Sequence, residues 1–325
     1  MAEMPALDVV SVGDANIDLL MSVPHHPDLN PDGDRGSGVR GSEYHLGPGG
    51  VAANMAAVMA QLGNRVGFIG VVGDDDLGRT LRQNLMAWGI DLRYLRTIPG
   101  HRTSLLCCFE SGAGQAVFYS CPGPRRIPAD CLAEAYLASA RLLFLSGNML
   151  TQDEVTGRSV VEALLKARRR GVMVAVDPSK FWLNPALTPI VRQAIAGADV
   201  LLPNANEAEL LTGCASPLAA ARALLAEGPR VVAVKLGEAG CVVCSPEEEV
   251  EMPAFKTEVR AYLGAGDAFN GGFLHGCLRR WPLERVARFA NATASLKLRH
   301  PGTQAGLPTE AEVEAFLGEH TGGMG

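Results

Sequence analysis

The chain has 325 residues, of which 47% are hydrophobic and 20% charged, and its formal net charge is -6. That length can bury one large α/β core, or one core with a small accessory domain. The acidic balance argues against a nucleic-acid partner, which needs a basic patch.

Met1-Ala2-Glu3-Met4 lacks the positive start of a secretory signal, and no apolar run reaches the roughly 18 residues that span a bilayer. A cytoplasmic protein with no membrane partner is expected. Leu7–Val12 reads as a strand. Residues 19–48 are rich in Pro, Gly, Asp and His and have little helical period. Helical patterns over Ala52–Leu62 and Leu77–Trp88 flank a strand at Val66–Val72. Two strand-like runs, Thr103–Glu110 and Gln115–Ser120, surround Ser-Gly-Ala-Gly, which is a hairpin signal. Strands at Leu142–Leu145, Val172–Val176, Val200–Leu202 and Val231–Val234 then alternate with helices over Glu154–Arg169, Leu187–Ala196 and Pro217–Ala226. Arg168-Arg169-Arg170, the one dense basic run, reads as a solvated helix C-terminus favoured by the dipole.

The alternation predicts an α/β fold, a parallel sheet covered by helices on both faces. Val172–Val176 is apolar on both faces, as a buried parallel strand requires. The two irregular segments, 19–48 and 102–120, predict a small β lid on a discontinuous core of 1–18, 49–101 and 121–325. A lid excludes water from a site beneath it. The eight cysteines form no framework. Cys241 and Cys244 have C-x-x-C spacing, but on a strand they point to opposite faces, so reduced thiols are expected.

Residues 261–276 combine a glycine-rich turn with a helical stripe through Phe269, Phe273 and Leu274, continued by Leu278. Gly264, Ala265 and Gly266 therefore open a helix whose unpaired amides and dipole favour an anion. Asp267 lies within reach of anything those amides hold. A plain Asp cap is the alternative. A dinucleotide fingerprint is disfavoured, because Phe269 stands where G-x-G-x-x-G needs its third glycine, and no P-loop sequence is present.

Beyond this motif the chain resembles the ribokinase (PfkB-type) carbohydrate kinases. Six stretches carry the resemblance, in family order across about residues 7–310: Val9–Asp18, Gly47–Asn54 with the helix after it, Gly70–Gly78, Pro203–Gly213, Lys235–Gly240 and Gly264–Asp267. The resemblance implies a doubly wound, mostly parallel sheet with a β lid, and ATP with Mg²⁺ as the phosphoryl donor. It implies that Asn16, Asp18, Gly49, Gly50 and Asn54 bind the sugar. It implies that Asp267 takes the proton of the attacking hydroxyl while the Gly264–Asp267 amides bind the transferring group. Asn204 and Glu207 would organise Mg²⁺ through its waters, unless they are only a helix-capping pair. Lys235 and Gly237 would lie on the nucleotide side. Asp177 is left open between a cleft-facing carboxylate and a turn residue.

Two departures bear on substrate and cation. Many relatives carry Asp-Thr-Thr, or a close variant, before the glycine motif, where this chain has Ala261, Tyr262 and Leu263. A potassium requirement is therefore not expected. Val51 stands near the position where relatives acting on phosphorylated sugars place Lys, which argues for an unphosphorylated sugar, although Arg102 or Arg125 offers a substitute. The expected activity is ATP-dependent phosphorylation of a hydroxymethyl group on a free sugar or sugar-like molecule. A nucleoside kinase, with Tyr44, Phe118 and Tyr119 around a base, is the rival in substrate; a non-catalytic sugar or nucleotide sensor is the rival in class. An exposed edge of the lid sheet offers a pairing surface for a homodimer.

Overall fold

Leu7–Val12 (β1) is buried along almost its whole length and runs inside the main sheet. After it come β2 (Asn16–Val23), β3 (Glu43–Gly49), α1 (Val51–Gln61), β4 (Val66–Gly73), α2 (Asp76–Ala87), β5 (Asp91–Ile98), β6 (Leu105–Ser111) and β7 (Ala116–Cys121). The second half holds α3 (Glu134–Leu137), β8 (Ala140–Ser146), α4 (Asn148–Thr151), α5 (Glu154–Arg169), β9 (Met173–Asp177), α6 (Thr188–Gly197), β10 (Val200–Leu201), α7 (Ala205–Thr212) and α8 (Pro217–Leu225). It ends with β11 (Val231–Lys235), β12 (Cys241–Cys244), β13 (Glu249–Met252), α9 (Ala265–Leu278), α10 (Leu283–Lys297) and α11 (Glu310–Glu319). The computed structural model describes residues 6–26, 39–111, 116–124, 126–151, 153–179 and 187–320. Parts of the lid segments, and Arg125, lie outside the described residues.

The nine-stranded main sheet has the order β13-β12-β11-β10-β9-β8-β1-β4-β5. Its pairs from β11 through β5 are parallel, and β12 and β13 add antiparallel strands at one edge. Helices cover both faces over two separate apolar cores. Cys244 belongs to one core and Cys241 to the other, as the strand period of two requires. The sequence periodicity located most of this framework; β5, β13, α3, α4, α10 and α11 are additional to it. Arg93 and Arg96 interrupt the apolar pattern of β5, an edge strand. At the end of α5, Arg168 pairs with Asp199 at 3.7 Å and Arg170 with Glu134 at 2.8 Å. Among the described residues, no helix is long and apolar enough to cross a membrane.

The strands of the two segments expected to form a lid make a second, separate sheet of order β3-β2-β6-β7. It begins at Asn16, so residues 16–18, expected to belong to the core, are lid residues. Asn16 and Asp18 alternate with Ile17 and Leu19, and this strand period simply carries on through Val23. Cys121 likewise ends β7 rather than opening the core. β2 pairs parallel with β6 and antiparallel with β3, setting Gly47, Asp18, Leu106 and Ser120 in one row. That row, with Phe118, faces the same way as Asp18. Tyr44 and Tyr119 point to the opposite face and are 73% and 54% exposed.

Helix α9 packs between α1 and α10 at unusually close range. A Cβ on Gly271 would stand 2.3 Å from Val58 of α1, and one on Gly272 would stand 2.7 Å from Thr293 of α10. Glycine inside a helix costs about 1 kcal/mol relative to alanine, so its use here reflects the close approach. We expect Gly271→Ala to destabilise the protein by about 1–3 kcal/mol through overpacking. Urea denaturation would measure this, and an unchanged midpoint would show that α1 and α9 separate freely.

Candidate active site

The turn before α9 ends on Gly264, whose φ of 86° places it in the left-handed region, and no side chain caps the helix. Ala265 N–H donates to Tyr262 O at 3.3 Å, and Ala268 N–H donates to Gly264 O at 3.0 Å. The amides of Gly266 and Asp267 are those that helix geometry leaves without an intrahelical partner. A Cβ on Gly266 would meet only Lys235 Nζ, at 3.9 Å, so an ammonium group stands beside these amides.

Asp267 Oδ2 accepts a hydrogen bond from Asn54 Nδ2 at 2.8 Å. Asn54 Oδ1 accepts from Gln304 Nε2 at 3.0 Å, and Gln304 Oε1 accepts from Trp88 Nε1 at 3.1 Å. This relay fixes the carboxylate and settles which end of each amide is oxygen. Burial pushes the Asp267 carboxyl up to about 7, against the pull of the Asn54 hydrogen bond; the negative Asp177 raises it further and Lys235 opposes that. Asn54, expected as a sugar ligand, thus also orients the expected base.

Asp18 and Asn16 point the same way from β2, and Asn16 Nδ2 donates to Asp18 Oδ1 at 2.5 Å. The Asp18 carboxylate lies so close to Gly49 that a Cβ there would stand 2.1 Å from it. Burial also pushes Asp18 up to about 7, with Asn16 and Thr303 hydrogen bonds opposing. Gly50 is the N-cap residue of α1, and Asp14 holds that helix start: its Oδ2 accepts from Val51 N at 3.0 Å and from Asn148 Nδ2 at 3.2 Å. Thr303 donates to Pro48 O, so the segment 302–304 links the lid's β3, Asp18 and Asn54.

Asp177 is a buried cleft residue as well as a turn residue. Its Oδ2 accepts from Lys235 Nζ at 2.7 Å and Asn270 Nδ2 at 2.6 Å, while its Oδ1 accepts from Ser179 N at 2.9 Å. Asn270 Oδ1 also accepts from Lys235 at 3.1 Å. Lys235 is held charged by Asp177 and Glu207 against a burial penalty. Asn204 and Glu207 form a complete capping box on α7, each backbone N–H donating to the other's side chain at 2.9 Å. Residue 204 bridges to residue 235, which brings the box beside β11. Gly237 lies in the turn after β11 with φ 62°, and nothing ties it directly to Asp267.

The residues the sequence singled out thus gather at the ends of β2, β3, β11, α1, α7 and α9, or in the turn after β11. Asp14, Asn270, Lys297, Thr303 and Gln304 join them without having been singled out. Asn270 had a signal, because it stands three residues after Asp267 on one helix face. Thr303 and Gln304 had none, lying in an irregular loop.

A carboxylate oriented at an uncapped helix N-terminus, with lysine beside the amides and a second carboxylate nearby, is an arrangement that phosphoryl transfer to an alcohol can use. Comparison with known proteins agrees, for the pfkB family carbohydrate kinases match residues 6–310, and the chain belongs to that family. It is 28% identical to the ribokinase of Haemophilus influenzae over 95% of this chain and 97% of the relative. The solved ribokinase of Thermotoga maritima superimposes with a TM-score of 0.80 at 26% identity, covering 96% of this chain and 99% of that one. The Arabidopsis thaliana ribokinase, solved with ribose and ATP, gives a TM-score of 0.80 at 23% identity over 96% and 99%. The protein is therefore a ribokinase-fold carbohydrate kinase.

Because the folded-state value of Asp267 is raised, its ionised form opposes folding. The cost is absent below the ordinary carboxylate range, grows as pH rises, and is complete above about 7. We expect Asp267→Asn to lose roughly 100- to 10,000-fold in turnover and yet to melt higher than the parent at pH 8. That gain should vanish as pH falls toward 4. A melting temperature lowered at pH 8 would contradict the burial argument.

Proposed function

We propose that the protein transfers the γ-phosphoryl group of ATP to a hydroxymethyl group of a free sugar or sugar-like molecule. The observation that supports this reading is the pairing across the start of α1, where the Asn16–Asp18 pair lies against Gly49 and Asn54 bonds Asp267 at the start of α9. Asn16 and Asp18 supply a donor and an acceptor side by side, as vicinal hydroxyls require. Gly49 and Gly50 let the sugar reach backbone. Asp267 accepts the proton of the attacking hydroxyl, which makes the alcohol a competent nucleophile. The Gly264–Asp267 turn stabilises the transferring phosphoryl group, and a well-placed donor of this kind is worth about 3–4 kcal/mol.

The residues fit ATP and Mg²⁺. Lys235 and the amides at Gly266 offer positive charge to a phosphate, with open space beside Gly266. ATP supplies the phosphoryl group, and Mg²⁺ masks its charge. Asn204 and Glu207 are committed to each other in the capping box, which suits a metal reached through its waters. Gly237 belongs to the nucleotide side as the turn that follows Lys235.

The free-sugar reading is favoured over the nucleoside one by the lid. Of the three aromatic residues available to stack on a base, only Phe118 shares the face of Asp18. The outward lid face, with Tyr44, Leu46 and Tyr119 exposed, is the surface we assign to a homodimer. Potassium is not required, because Ala261 and Leu263 bring no side-chain oxygen to the turn.

The test is ADP release from Mg-ATP with a panel of pentoses, hexoses and nucleosides. Turnover with one or more sugars, abolished in Asp267→Ala with the fold intact, is expected. Asp18→Ala should raise the sugar KM at least tenfold with little change in ATP affinity. Tight binding without turnover across the panel would instead indicate a sensor, and turnover confined to nucleosides would move the substrate class.

A further inference from the structure

We propose that Lys297 is a built-in cation of the active-site turn, a positioning residue whose ammonium group holds the Leu263 carbonyl and thereby aims the amides that follow it. The inference rests on the kinase reading and adds a residue to it.

The segment between β13 and α9, residues 253–264, has no regular structure of its own. It is fastened along α10. Asn291 Nδ2 donates to Met252 O at 3.0 Å and Pro253 O at 3.1 Å, and Ser295 Oγ donates to Phe255 O at 3.4 Å. Arg299 Nε donates to Thr257 Oγ1 at 2.8 Å, and Arg260 N donates to Leu298 O at 2.8 Å. The last fastening is Lys297 Nζ, which donates to Leu263 O. Leu263 directly precedes Gly264, and a Cβ on Gly264 would stand 3.3 Å from Lys297 Cε.

Lys297 is fully buried, a rare state for lysine unless it is paired. The first four fastenings are made by neutral or exposed groups, so holding the segment does not of itself call for a buried charge. An apolar residue would fill the space at lower cost. What a charge adds is directional. An ammonium group on the oxygen side of the Leu263–Gly264 peptide polarises it and adds positive potential behind the amides of Gly266 and Asp267, where a phosphoryl group gathers negative charge. Three carboxylates face Lys297: Asp267 from α9, Glu110 from β6 and Asp18 from β2. The lysine thus feels both the expected base and the expected sugar ligand, and it ends α10, where the helix dipole favours a cation.

The experiment compares the full-length protein with Lys297→Met and Lys297→Arg. Sugar-dependent ADP release is followed across pH in potassium, ammonium and choline chloride, with hydrogen exchange of the Leu263–Asp267 amides measured in parallel. Burial brings the Lys297 ammonium down to about 8, with the three carboxylates opposing. Wild-type turnover should therefore fall above about pH 8 and ignore potassium. Lys297→Met should lose roughly 100-fold in kcat with a smaller change in KM, lose the alkaline fall, and regain rate in ammonium or potassium. Lys297→Arg, if it folds, should retain rate to higher pH. Unchanged kcat in Lys297→Met would overturn the proposal. So would a loss that no cation restores and that leaves the alkaline fall in place. If no sugar supports turnover in the wild type, the kinase reading fails on its own. Lys297 is then judged by exchange alone: faster exchange confined to the turn in Lys297→Met supports it, and unchanged exchange overturns it.

Discussion

The hydrogen bond from Asn54 Nδ2 to Asp267 Oδ2 joins two helices whose residues are 213 positions apart, and the site is arranged around it. The bond is possible because α9 presents the bare backbone of Gly271 to the Val58 side chain of α1. The same packing leaves the Asp267 side chain only partly open to solvent. The raised protonation of Asp267 is thus a consequence of the same packing that orients it. Orientation and basicity are not separately adjustable here. A looser contact would let water in, lower the carboxyl toward its ordinary range and release the aim together.

A second ammonium group shows how the protein tolerates charge inside. Lys235 is secured by Asp177 and Asn270, and Asn270 also donates to Asp177, so the three close a ring of hydrogen bonds. Such rings make a buried ion pair acceptable because each group meets a partner on more than one side. The ring also sets the distance between β9, β11 and α9 at the point where their ends converge. Asp177 is in that sense a spacer between strand ends, and its charge is spoken for before any ligand arrives.

How much of this was legible in the sequence follows from how local each signal is. The parallel strands and their helices were readable because apolar runs such as Val172–Val176 carry their own period. The glycine turn before α9 was readable because Gly264 and Gly266 precede a helical stripe at once. The lid's position was readable but its start was not: Asn16 and Asp18 look like turn residues when taken alone and like strand residues only in alternation with Ile17 and Leu19. Thr303, Gln304 and Lys297 were illegible for a different reason. Each acts on a partner more than thirty positions away, and a polar residue in a loop or at a helix end has many ordinary uses. Asp177 lay between, since its type suggested chemistry while its partner, Lys235, is 58 positions on.

The linkage made by residues 302–304 also orders events in time. The lid strands, Asp18 and α1 are all synthesised before the segment that connects them to Asp267. Domains tend to form as the chain emerges, N-terminal parts first. A nascent chain can therefore complete the central strands and the second sheet before residues 302–304 link β3 to α1. The Gly264–Asp267 turn and this link are made after the elements they join, so the site closes only once α9 and the loop after α10 have met the N-terminal half.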